Sequence, residues 1–449
     1  MPREAALTDE ADDLHARAGS WTNSGRYYVL AVLCVIGVFN QLDRQIISVV
    51  LQPIKMEFGA SDKEMGFVTG TLFALFYALA ALPVARLLDR RPRKQVLAVC
   101  LTFWSLMTTL GGVVSSLTQL AVTRTGIAAA EAGAAPSAYS ILSDLFKLGG
   151  RATAIATYTG SQSVGIGLGI FLGGWLSDVF GWRASFMIVG VPGLLLAAVL
   201  LLTVREPVRG QADGLVRDPE PMSTWEGLKA LMAIPTYRWI LATVGLCGFI
   251  GYGMFAWGPT LLIRVHHLSR TVVGVSMGGA IAAALLTGNL LSGYLGDRFG
   301  RRDVRAYMWI AALGPLASVV PSLVFVSCSD WRVAVAAVFA TQFLLTFHIP
   351  GSYAMAQTIV PLRARALASM LMGLASTLVG TGLAPLLIGV LNDFLQPRFG
   401  DETLRYSMAT IGLSAAAAAV TAFMASRTLR KDFSRRTQVE AAPVSGAPH

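Results

Sequence analysis

The sequence predicts an all-α membrane protein with twelve transmembrane helices in two six-helix bundles related by a parallel repeat. Three observations carry that prediction. The 449-residue chain is 54% hydrophobic and only 14% charged, where a soluble domain carries about 25% charged residues. Apolar runs long enough to cross a bilayer, about 20 residues each, recur along its whole length. The two halves of the chain also echo one another, in order.

Residues 1–25 are acidic and polar, without the basic start and short apolar core of a signal peptide, and read as a cytoplasmic tail. Six runs follow at 26–53, 62–88, 94–115, 118–145, 151–177 and 184–204, giving an N-terminal bundle over 26–204. Residues 205–236 are polar and rich in proline and charge, and read as a cytoplasmic linker. Within them "TWEGLKALMAI" has the composition of a short amphipathic helix on the membrane surface. Six more runs, at 237–262, 271–296, 304–327, 332–358, 364–390 and 404–427, form the C-terminal bundle over 237–427. Residues 428–449 read as a cytoplasmic tail ending in a disordered "TQVEAAPVSGAPH".

The net charge of +10 does not point to nucleic acid, because the basic residues sit in short clusters between apolar runs. Arg90, Arg91, Arg93 and Lys94, then Lys147 and Arg151, then Arg298, Arg301, Arg302 and Arg305, then Arg363 and Arg365 all fall in alternate connections. Arg427, Arg430, Lys431, Arg435 and Arg436 follow the last run; Arg264 and Arg270 are the exceptions on the other side. The positive-inside rule therefore puts both termini in the cytoplasm, and in a bacterial cell the protein in the inner membrane. Cys34, Cys100, Cys247 and Cys328 form no CxxC pair, and His266–His267 has no carboxylate or cysteine nearby, so neither disulfide nor metal is expected. No nucleotide-binding loop, HExxH or GxSxG is present. An enzyme is not expected, and no cofactor beyond a proton gradient.

"VGIGLGIFLGGWLSD" (164–178) matches "VGTGLAPLLIGVLND" (379–393) at an offset of 215. "PSAY" (136–139) and "PGSY" (350–353) lie 214 apart, each followed at the same distance by "RATA" or "RALA". "LLDRRPRK" (87–94) and "LGDRFGRR" (295–302) lie 208 apart. Six plus six helices in the same orientation is the plan of a secondary transporter with its substrate near the midplane. Gly160, Gly165, Gly167 and Gly173, and Gly380, Gly382 and Gly389, are placed to let helices pack closely. The paired Asp89–Arg90 and Asp297–Arg298, with Arg301, fall at the cytoplasmic ends of spans two and eight, where they are candidates for a gate.

"GYLGDRFGRR" (293–302) resembles the signature loop of the major facilitator superfamily. "ARLLDRRPRK" (85–94) resembles its first-half copy, with Ala85 at the first glycine. Within that superfamily "NQLDR" in span one, "RTGIAAAEA" in span four, "DLF" (144–146) and "VREP" (204–207) are similar to the spinster-like transporters. That resemblance implies a lysolipid-like or other amphiphilic anion as substrate, coupling to protons, and the span-one aspartate as the proton site. The anion:cation symporters carry a similar Asp-Arg and a similar Arg/Glu pair, so an importer of small organic anions is the alternative.

The embedded charges are the candidate site. Each of Asp43 and Arg44 costs about 2.5–3.5 kcal/mol at a helix centre, and neighbours diverging by about 100° do not neutralise one another. Arg124 and Glu131, seven residues apart on span four, lie on one face. The expected network pairs Arg44 with Glu131 and puts Asp43 within reach of Arg124. Asp43, Arg44 and Glu131 are assigned to proton coupling, and Arg124 with Glu131 to substrate. From the second half, Tyr252, Phe255 and Trp257 are candidates for an apolar wall, and His348 for its main titratable group. The competing expectations are a static interhelical clamp for the charges and plain packing for the aromatics and His348. A monomer in the lipid bilayer, with protons and one small amphiphilic or organic anion as partners, completes the expectation.

Overall fold

The computed structural model describes residues 22–146, 148–208, 223–361 and 364–441. The tail before residue 22, Lys147, Arg363 and most of the expected linker lie outside these. Helix α1 (Asn23–Phe58) starts on a Thr22 side chain that accepts from the Gly25 amide, and stops at Gly59, whose φ of 61° suits glycine. Span two is not uniform: α2 (Asp62–Gly66), a π-helical stretch (Phe67–Thr71) and α3 (Leu72–Arg90) run end to end. Then come α4 (Arg93–Gly111), α5 (Leu117–Glu131), α6 (Ala134–Leu145) and α7 (Leu148–Thr203). Spans five and six are both contained in α7, which turns at Gly181 with φ 81°. After the short α8 (Thr224–Met232), the second half contains α9 (Pro235–Arg264), α10 (Arg270–Gly300), α11 (Ala306–Ser327), α12 (Trp331–Leu345) and α13 (His348–Ile359). It continues as α14 (Arg365–Ala375), a second π-helical stretch (Ser376–Leu383), α15 (Ala384–Phe399), α16 (Thr403–Met408) and α17 (Thr410–Ala441).

Among the described residues these elements make twelve spans. Spans four and ten are each broken once, after Glu131 and after Leu345, which are 214 positions apart like the "PSAY" and "PGSY" that follow them. The last helix departs from expectation: α17 continues to Ala441, through residues expected to form a tail and into the stretch expected to be disordered. Arg, Lys, Gln and Glu are good helix formers whatever their polarity, and no glycine or proline intervenes before Pro443. Low hydropathy marked the end of the span, not of the helix.

The chain divides into two units. One comprises the described residues of 1–60, 72–218 and 269–279; the other those of 61–71, 219–268 and 280–449. The boundaries depart from the sequence halves at two places, for each unit includes an eleven-residue segment, 61–71 or 269–279, that opens a span otherwise belonging to the other. In the first unit, Gly165, Gly169 and Gly173 of α7 pack on Val38, Leu42 and Ile46 of α1. A Cβ on Gly165 would lie 2.4 Å from the Val38 carbonyl oxygen, and one on Gly169 would lie 2.8 Å from that of Leu42. This close approach, spaced four residues apart on both helices, fixes the rotation of α1 and so the direction in which Asp43 and Arg44 point.

The repeat is legible in how each borrowed segment is held. In the first unit, the Asp178 carboxylate accepts from the Thr271 amide (2.7 Å), the Thr271 hydroxyl (2.8 Å) and Arg270 Nε (2.6 Å). In the second, the Asp393 carboxylate accepts from the Asp62 amide (3.0 Å) and the Lys63 amide (2.8 Å). Asp178 and Asp393 are 215 positions apart, and residues 62–63 and 270–271 are 208 apart, the offsets of the sequence echoes. Each carboxylate caps the first turn of a helix, where unpaired amides and the helix dipole favour negative charge. The second unit adds a buried pair, Asp62 bound bidentately by Arg264 at 2.7 Å and by Asn392.

Burial pushes the Asp178 carboxyl up, but the Thr271 and Arg270 hydrogen bonds outweigh it and hold it below the usual carboxylate range. A carboxylate depressed in the folded state stabilises above its ordinary pKa and loses that stabilisation as pH falls through the lower folded-state value. Asp178→Ala is therefore expected to cost about 1 kcal/mol at neutral pH, read as a lower Tm of the protein in detergent. The difference from wild type should shrink on acidification, well below the ordinary carboxylate pKa.

Candidate functional site

The charged residues of spans one and four meet in the first unit. Arg44 Nε donates to Glu131 Oε2, and Glu131 lies at the last turn of α5, where span four breaks. Arg124 lies seven residues earlier on the same helix and reaches the Asp43 main-chain carbonyl at 3.5 Å, at the edge of hydrogen-bonding distance. Asp43, Arg124 and Glu131 are each at most 2% exposed. The Asp43 carboxylate lies within electrostatic reach of Arg124 and beside Trp104 and Thr108 of α4.

This network is incompletely satisfied. Asp43 Oδ1, Glu131 Oε1, Arg124 Nε, Asn40 Nδ2, Trp104 Nε1 and Thr108 Oγ1 are all buried without a hydrogen-bond partner. Buried polar atoms are nearly always paired, and exceptions call for a reason such as water, ligand or function. A static clamp would be expected to satisfy its own groups; this one leaves donors and acceptors facing one another around a carboxylate.

Sequence reasoning missed the aromatic cover. Phe73 and Tyr77 of α3 stack against each other (centroids 6.3 Å, 18°), and the Arg44 guanidinium lies over both rings at 4.9 and 5.0 Å. Arg124 lies over Phe73 at 5.5 Å. The signal available was spacing: Phe73–Tyr77 and Trp104–Thr108 are both i, i+4 pairs on one helix face.

A second cluster draws together three of the motifs quoted above. Arg93, from "RPRK", binds Asp144 of "DLF", Glu206 Oε1 of "VREP" at 2.9 Å, the Ser140 hydroxyl at 2.9 Å and the Pro207 carbonyl at 2.7 Å. The Lys94 amide donates to Glu206 Oε2 at 2.7 Å. The expected gate residues are not in it. Arg90 is exposed and the Asp89 side chain lies outside what is described. Asp297 accepts from Tyr307 OH at 3.1 Å, Arg298 donates to Tyr294 OH at 3.0 Å, and Arg301 is exposed.

The second unit is neutral where the first is charged. Counting forward 214 positions, Val338 stands where the first half has Arg124, and Leu345 where it has Glu131. Trp257 is fully buried, with its indole N–H on the Pro385 carbonyl at 3.0 Å, so it packs inside the unit and does not line a surface. Phe255 is also buried, while Tyr252 is half-buried and meets Phe255 edge-on. His348 is buried with Nδ1 2.5 Å from the Leu345 carbonyl, the contact of a packed, satisfied ring nitrogen. It is not the sole polar group of its half: Thr341 Oγ1, Gln342 Nε2 and Ser352 Oγ are buried without partners.

Two repeat-related six-helix units, one with a buried charged network, define a multi-pass membrane transporter of the secondary type. The sequence pattern of the Major Facilitator Superfamily matches residues 33–385, and the chain belongs to that family. It is 31% identical over 432 residues to an MFS-type efflux pump of Mycolicibacterium smegmatis, covering 96% of this chain and 98% of that one. Protein spinster homolog 1 of Xenopus laevis is 28% identical over 390 residues, 82% of this chain and 73% of the relative. Among solved structures, a bacterial homolog of the human lysosomal transporter Spinster, in an inward-facing unoccupied conformation, superposes with a TM-score of 0.81 at 29% identity. The match covers 92% of this chain and 99% of that one.

Removing one member of a buried ion pair leaves the other uncompensated and costs roughly 3–5 kcal/mol, whereas removing both costs far less. Glu131→Gln alone is expected to destabilise strongly in detergent, and Arg44→Gln with Glu131→Gln to recover most of the loss. A double-mutant cycle in Tm measures the coupling. Additive losses would mean that the pair is not formed.

Proposed function

We propose that the protein is a proton-coupled transporter of an anionic amphiphile with a single apolar chain, in which Asp43 takes up the coupled proton and Arg124 meets the anionic head. The observation that carries this reading is the buried Asp43 carboxylate, whose Oδ1 has no hydrogen-bond partner and which lies within electrostatic reach of Arg124 and of Glu131, itself engaged by Arg44. With Asp43 ionised, its charge and that of Glu131 balance Arg44 and Arg124. With Asp43 protonated, the set is left with one net positive charge in a low-dielectric interior, where an anion is strongly attracted. Proton and anion thus favour the same state and move together, and net movement follows the proton gradient.

The amphiphile is supported by the contrast between the units. The charged network stands in one, while the other has Val338 and Leu345 at the corresponding positions. The resemblance of "NQLDR", "RTGIAAAEA", "DLF" and "VREP" to the spinster-like transporters implies the same substrate class. The basic clusters support a cytoplasmic side for both termini, on which Arg93 with Asp144 and Glu206 forms a cytoplasmic clamp within the first unit.

The test uses purified protein in liposomes under an imposed pH gradient, with phosphate-headed single-chain lipids of rising chain length. Each added buried CH₂ contributes up to about 0.8 kcal/mol, or roughly fourfold in affinity. Apparent affinity should therefore climb with length, and Asp43→Asn should bind while losing gradient-driven accumulation. Flat affinity across the series with competition by short carboxylates would replace the amphiphile with a small organic anion. Undiminished accumulation by Asp43→Asn would remove Asp43 from coupling.

A further inference from the structure

We infer that Phe73 is a positioning residue that makes the orientation of Arg44 and Arg124 depend on the register of span two. One ring serves two guanidinium groups from two other helices: Arg44 of α1 at 4.9 Å and Arg124 of α5 at 5.5 Å from its centroid. The ring is 1% exposed, so the attraction between cation and ring face is not diluted by water. Two like charges share one neutral ring, and moving that ring changes the surroundings of both at once.

Span two has a built means of moving it. Phe73 is the second residue after the π-helical stretch Phe67–Thr71, and the chain passes from the second unit to the first between Thr71 and Leu72. The π-helical turns are fastened in the second unit to the other π-helical stretch. Thr71 Oγ1 donates to the Gly382 carbonyl at 2.8 Å, and a Cβ on Gly70 would lie 2.5 Å from the Thr381 carbonyl. A π-bulge holds one extra residue per turn, and such bulges recur at functional sites. Its conversion to α-helix would rotate everything after it by about 100°, one residue's turn of the helix, and would carry the Phe73 ring off both arginines. Register is a two-valued property, so the ring is either on the pair or off it.

The charged and titratable groups around the ring are Asp43 and Arg44 from α1, Tyr77 from its own helix, and Arg124 and Glu131 from α5. The helix α4 contributes the neutral Trp104 and Thr108 beside Asp43. Tyr139 and Tyr158, from α6 and α7, sit edge-on to each other (5.5 Å) in the neighbourhood of Tyr77. A ring that only filled space would leave the titration of these groups alone. One that orients the arginines would not.

The experiment is the Tm of the detergent-purified protein measured against pH without substrate, for wild type, Phe73→Leu, Phe73→Tyr and Tyr77→Leu. It rests on the charged network of the proposed transporter but not on any substrate, so failure of the amphiphile reading leaves its outcome untouched. Phe73→Leu should move the midpoint of the pH profile by about half a pH unit or more. Phe73→Tyr, which keeps the ring, should restore it, and Tyr77→Leu, which loses one ring from Arg44 alone, should move it less. If Phe73→Leu does not fold, the contrast between Tyr77→Leu and Phe73→Tyr gives the same reading. A uniform drop in Tm with an unmoved midpoint overturns the proposal and makes Phe73 a packing residue.

Discussion

Two carboxylates and two guanidinium groups taken out of water within one six-helix unit set the terms for the rest of the molecule. Each would cost several kcal/mol alone, and the surrounding helices are arranged to offset that. Three glycines of α7 bring it onto the backbone of α1, which points Asp43 and Arg44 towards α5. The break after Glu131 ends α5 where its carboxylate meets Arg44. Phe73 and Tyr77 cover the guanidinium faces, which the ion pair leaves bare. What remains unsatisfied in the network is spread over Asn40, Asp43, Arg124 and Glu131 and the Trp104 and Thr108 side chains of α4.

The second unit, neutral at the positions that correspond to Arg124 and Glu131, shows what the same scaffold does when that constraint is lifted. Span ten breaks at the matching position, but with Leu345 there it needs no partner, and the following His348 turns back onto the Leu345 carbonyl. Trp257 and Phe255 are then free to pack inward. The repeat preserved the helix break and the capping carboxylates and let the chemistry diverge, so one unit retains the charges and the other the apolar packing.

Much of this could be read in the chain before any coordinates. The twelve spans followed from hydropathy, the pairing of halves from three offsets, and the meeting of Arg44 with Glu131 from helix depth alone. What escaped was of two kinds. Side chains with no unusual chemistry, such as Phe73, Tyr77, Trp104 and Thr108, resemble any membrane-facing residues until the fold shows which face the arginines. Helix ends were also misjudged where polarity and helix propensity part company, as in α17 after residue 427. Trp257 escaped for a related reason, since a tryptophan inside a span carries no mark of which way it faces, and this one hydrogen-bonds within its own unit.

The exchange of helix ends between the units has a consequence for how the chain is made. The first unit includes residues 269–279, so it is not complete when the first six spans have left the ribosome. Asp178 waits with its carboxylate unoccupied until Arg270 and Thr271 are synthesised some ninety residues later. Conversely residues 62–71 emerge early and must wait for Arg264, Asn392 and Asp393 before their first turn is fastened. Each unit therefore completes only when segments far apart in the chain have both been made, and the two do not fold one after the other as sequential domains. A chain cut in the linker would supply each half with a vacancy that only the other can fill.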